Sequence, residues 1–107
     1  MELHQVLSDI NRIASSNGGR SVVPNDEMVA RRAIGRIMRH DSPEHATALH
    51  HALSAKCDVL DANRALYYQH DQTGAHLCTS VKRILEQGVA HVARLIETEN
   101  RTSTVAA

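Results

Sequence analysis

The chain has 107 residues, as many Lys plus Arg as Asp plus Glu, and a net charge of zero with its eight His neutral. That length suits one domain, and the charge balance argues against a bulk electrostatic grip on nucleic acid or anionic membrane. With no Phe, no Trp, two Tyr and 14 Ala, the core has to be built from Leu, Ile, Val and Ala, which favours closely approaching helices.

Leu3, Val6, Leu7, Ile10 and Ile13 recur at spacings of three and four, which predicts a short amphipathic helix over residues 2–14. The polar residues between them do not read as a signal peptide. Ser15-Ser16-Asn17-Gly18-Gly19 ends this helix, and residues 15–23 read as a flexible linker. Asn25 is the expected cap of a second helix, with Asp26 and Glu27 at the positive end of its dipole. On that helix Ala30, Ala33, Ile34, Ile37 and Met38 share one face, and Arg32, Arg36 and Arg39 share the opposite one.

Asp41-Ser42-Pro43-Glu44 predicts a helix start, with Ser42 as cap and Pro43 at the first helical position. The third helix is then expected to run to about His70 along a stripe of Ala46, Leu49, Leu53, Cys57, Leu60 and Tyr67. Lys56 and Asn63 fall close to that seam, so it is not uniformly apolar. Asp71-Gln72-Thr73-Gly74 reads as the break before a fourth helix, capped by Asp71 or Thr73. Its apolar face is Leu77, Val81, Ile84, Leu85, Gly88, Val92, Leu95 and Ile96. Gly88 costs roughly 1 kcal/mol of helix propensity, so another helix is expected to approach closely there, with Cys57 as its neighbour.

The expected fold is all-α: four helices built on a long antiparallel helical hairpin, with two shorter N-terminal helices. Residues 1–99 form the single domain and 100–107 a disordered tail. If the short helices do not cover the hairpin's apolar seam, a second copy would, so a homodimer is an alternative assembly. No apolar run approaches the ~20 residues that span a membrane. Two cysteines without CxxC spacing suit a reduced, cytoplasmic setting.

Chemical motifs are sparse. His50, His51 and His91 lie at seam edges or outside them, with no HxxxH pair and no ExxH motif. His70, Asp71, His76 and Cys78 gather near the turn without a known ligand spacing. No metal and no cofactor are expected, and nothing resembles a nucleophile elbow or a phosphate loop. Cys57 reads as a core residue, and Cys78 as nearer the surface.

The stretch from His51 to Ala62 resembles the phospho-accepting helix of histidine phosphotransfer domains, whose motif runs His-x-Leu-Lys-Gly, then Leu-Gly-Ala. His51, Leu53, Leu60 and Ala62 match. The resemblance implies a four-helix bundle with His51 as phospho-acceptor. Ser54 stands where the motif has Lys, and Ala55 where it has the Gly that leaves room for the phosphoryl group.

Arg31, Arg32, Arg36 and Arg39 are the main candidate partner-binding residues, because guanidinium groups suit bidentate contact with carboxylate or phosphate. The expectation is a small non-enzymatic regulatory, adaptor or inhibitor protein that acts on another protein. A nucleic-acid-binding regulator using the same arginines is one alternative, although two Tyr cannot form a stacking platform. A phosphotransfer module using His51 is the other.

Overall fold

A computed structural model describes residues 2–15, 22–67 and 71–106, with side chains to Arg101. Among these residues the chain is all-helical: α1 (Leu3–Arg12), α2 (Asn25–Met38), α3 (Ala46–Tyr67) and α4 (Gln72–Ala106), with no strand. The molecule measures 55 × 23 × 20 Å. Its long axis matches the roughly 52 Å rise of 35 helical residues in α4. Much of the linker predicted over 15–23 lies outside the described residues.

The apolar spacing read from the sequence becomes burial. Val6 and Ile10 of α1, Ile34 and Ile37 of α2, Leu49, Leu53 and Leu60 of α3, and Val81, Leu85 and Val92 of α4 form one aliphatic core. α4 packs against both α2 and α3, and α1 packs against α2 and α3. Between α3 and α4, Lys82 Nζ meets the Asp61 carboxylate at 2.8 Å. That hydrogen bond holds the Lys82 ammonium above its ordinary range.

Helix starts differ in how far side-chain chemistry sets them. Asp71 caps α4 as expected: its Oδ1 accepts the Gly74 N–H at 2.9 Å. A Cβ on Gly74 would meet Asp71 Oδ2 at 2.9 Å and Tyr67 Cγ at 3.1 Å, so glycine lets the cap and the end of α3 close together. The predicted start of α3 at Ser42–Pro43 is corrected. Ser42 Oγ accepts the Glu44 N–H in a local turn, His45 adopts a left-handed backbone (φ 68°), and the helix begins only at Ala46. The cap of α2 is Pro24, with Asn25 already helical. Asp26, read from the sequence as a first-turn acid, is buried.

Gly88 does mark a close approach, but its neighbours differ from the expectation. A Cβ there would lie 2.6 Å from Ile34 Cδ1 and 3.2 Å from Leu53 Cδ1. The crowding comes from α2 lying over α4, with Leu53 rather than Cys57 supplied by α3. Helical backbone continues past Glu99, where the sequence places the end of the domain, to Ala106. Arg101 pairs with Glu97 one turn back at 2.6 Å and supports that extension.

Candidate functional site on the second helix

The three arginines of α2 and Arg39 at its C-cap divide into two pairs by the direction in which they leave the backbone. Arg32 and Arg36 reach toward α1 and close on Asp9. Arg32 Nη2 donates to Asp9 Oδ1 at 3.1 Å, and Arg36 Nη1 lies 3.6 Å from Asp9 Oδ2. Asp9 is itself buried, so its carboxylate needs these guanidinium partners. This pair therefore helps hold α1 against α2. No sequence periodicity flagged Asp9, because an acidic residue on an amphipathic helix ordinarily reads as solvated.

Arg31 and Arg39 leave α2 toward solvent. Arg31 makes only a surface pair with Glu27 at 2.7 Å, which contributes little. Arg39 makes no ion pair among the described residues and lines a cleft with Glu2, Gln5, Arg36 and His40. Beside them two large apolar side chains are exposed on the same helix, Met28 (67 %) and Met38 (42 %). Among the described residues the only other large exposed apolar side chain is Leu66 on α3.

Between α2 and α4 runs a groove of about 300 Å³ lined by Arg31, Ile34, Gly35, Met38, Ile84 and Gln87. Among the described residues its lining combines apolar walls with one guanidinium and no carboxylate. The chain matches no protein-family model, no curated protein and no solved structure.

The remaining candidates lie elsewhere. His51 is exposed on α3, His50 is half-buried, and His91 Nε2 is 2.8 Å from the His40 carbonyl oxygen, tying α4 to the end of α2. Among the described residues no three His, Cys, Asp or Glu side chains come together as a metal-binding group. His70 lies outside them. Cys78, expected near the surface, is buried, and so is Cys57. Burial, followed by the nearby Glu86 carboxylate, pushes the Cys57 thiol up to about 11, and burial also raises Cys78. Neither thiol is activated for nucleophilic chemistry.

A second polar cluster joins α1, α2 and α3. Asp26 Oδ2 accepts the N–H groups of Ala14 (3.0 Å) and Val23 (2.9 Å). Lys56 Nζ donates to the Ile13 carbonyl at 2.7 Å. Burial lowers the Lys56 pKa, opposed by the negative charge of Asp26. The Ala14 contact ties the end of α1 to the start of α2, and Lys56 ties the same end of α1 to the middle of α3. In α3, Asn63 is buried and its Nδ2 has no hydrogen-bond partner among the described residues, a polar position that falls near the α3 seam in the sequence.

Proposed function

We propose that this protein is a small non-enzymatic regulator, adaptor or inhibitor that binds another protein through the outward side of α2. The observation that carries this reading is the sorting of α2 itself. Arg32 and Arg36 turn inward to Asp9, while Met28, Arg31 and Met38 remain presented on one 14-residue helix, with Arg39 at its C-cap. Exposed apolar side chains interleaved with guanidinium groups are the composition of a protein-binding surface.

The other helices serve as scaffold in this reading. An antiparallel hairpin of α3 and α4 is supported by the order of their contacts: Leu53 with Gly88, Asp61 with Lys82, and Tyr67 with Gly74. A cytoplasmic setting fits two free cysteines. No helix among the described residues is long and apolar enough to cross a membrane.

The test is affinity capture from nuclease-treated extract of the native cell, with wild type beside an Arg31→Glu/Arg39→Glu variant. A protein retained by wild type and lost by the variant is the expected result. Retention that disappears with nuclease and falls steeply with salt would instead support the nucleic-acid alternative. Arg32 and Arg36 are unsuitable for this test, because reversing their charge would place anions against buried Asp9.

A further inference from the structure

Gly35 has no reason to be glycine within its own fold. It lies inside α2, its backbone is not left-handed, and among the described residues a Cβ built on it would meet nothing within 4 Å. Glycine at such a position costs roughly 1 kcal/mol relative to alanine. Gly74 and Gly88 carry the same helical cost, yet each admits a neighbour that a side chain would crowd. At Gly35 the space a side chain would fill is open, and Gly35 lines the groove between α2 and α4.

The residues along this line are Met28, Arg31, Gly35 and Met38. Their three-four-three spacing is that of a helix-packing seam, here facing solvent. Three guanidinium groups line the rim: Arg31 lies in the seam and pairs with Glu27, half-exposed Arg32 lies beside it and pairs with Asp9, and Arg39 follows Met38 with no ion pair among the described residues. A second copy of α2 on this seam would set arginine rows against each other. The geometry and charge point instead to a partner helix with carboxylates.

Resting on the protein-binding reading above, we propose that the groove receives an amphipathic helix of another protein. That helix crosses closely over Gly35, buries Met28 and Met38, and places Asp or Glu beside Arg31 and Arg39. Methionine suits such a surface because its flexible side chain adapts to the partner's shape. The mode is a helix laid in an apolar groove.

The probe is a displayed library of helical peptides of about 18 residues, with apolar seam positions and randomised flanks, panned on the full-length protein. Enriched peptides are expected to carry acidic flanks and to lose roughly tenfold or more in affinity for Gly35→Leu and for Arg31→Glu. Gly35→Ala keeps the test sound if the leucine variant folds poorly: it should unfold at higher denaturant than wild type, yet bind the same peptides more weakly. No enrichment, enrichment without acidic flanks, or equal binding to the Gly35 variants overturns the inference. So does a wild-type dimer in sedimentation that Gly35→Leu dissociates, because a second copy would then be the occupant. If the peptides fail while Arg31→Glu/Arg39→Glu still abolishes protein capture, the groove is wrong and the broader reading stands.

Discussion

The Asp26 carboxylate accepts two backbone N–H groups across the chain between α1 and α2. In return, Asp26 N–H donates to the Val23 carbonyl at 2.9 Å, a reciprocal arrangement like a capping box. Asp26→Ala should therefore lose about 2–3 kcal/mol in urea unfolding, since it strands a buried N–H on Ala14. The sequence placed Asp26 correctly at a helix N-terminus but could not show that Ala14 returns to it. That contact spans 12 residues, and no local periodicity encodes it. Cys57 was legible as core from its place on the α3 stripe, and its burial gives a pH dependence. Its pKa rises from an ordinary 9.0 to about 11, so between those values the folded chain keeps a proton that the unfolded chain releases. Stability should accordingly fall as pH rises through that window. Lys56, with a lowered pKa, acts in the opposite direction just below its ordinary 10.5. Denaturation midpoints at about pH 8 and about pH 10 check the balance: the drop between them should be smaller in Cys57→Ala than in wild type.

At the scale of elements, glycines that look alike in sequence differ in what surrounds them. Gly35→Ala should raise stability by roughly 0.5–1 kcal/mol, because it gains helix propensity and meets no neighbour. Gly88→Leu should lower it by about 1–3 kcal/mol, because Ile34 and Leu53 already occupy that space. Equilibrium unfolding of both variants decides the point, and equal effects would contradict the packing described for α2 on α4. The need for a close approach at Gly88 was legible in its apolar face. Its partner was not, because α2 reaches α4 from far away in sequence. Helix starts divide in the same way. Asp71 acts through its own next residues and was readable. The start of α3 was displaced by the left-handed turn at His45, which Ser42-Pro43-Glu44 does not announce. The arginine stripe was also visible as a pattern, but its division depends on Asp9 of another helix.

At the scale of the whole molecule, an aliphatic core without Phe or Trp holds the helices together, with polar connections at Asp9, Asp26 and Lys56 around α1 and at Lys82 and His91 on α4. These contacts consume much of the charge that the sequence offered for function. What remains outward on α2 is a line of methionine, arginine and glycine that the fold itself does not use, which is the basis for placing partner recognition there. The most direct measurement is site-specific photocrosslinking in the native cell, with a photoreactive side chain at position 28 or 38 and a control at exposed position 51 on α3. A discrete protein adduct is expected from positions 28 and 38, absent from 51 and lost when Arg31 and Arg39 become Glu. Adducts to nucleic acid, or the same protein adduct from position 51, would contradict it.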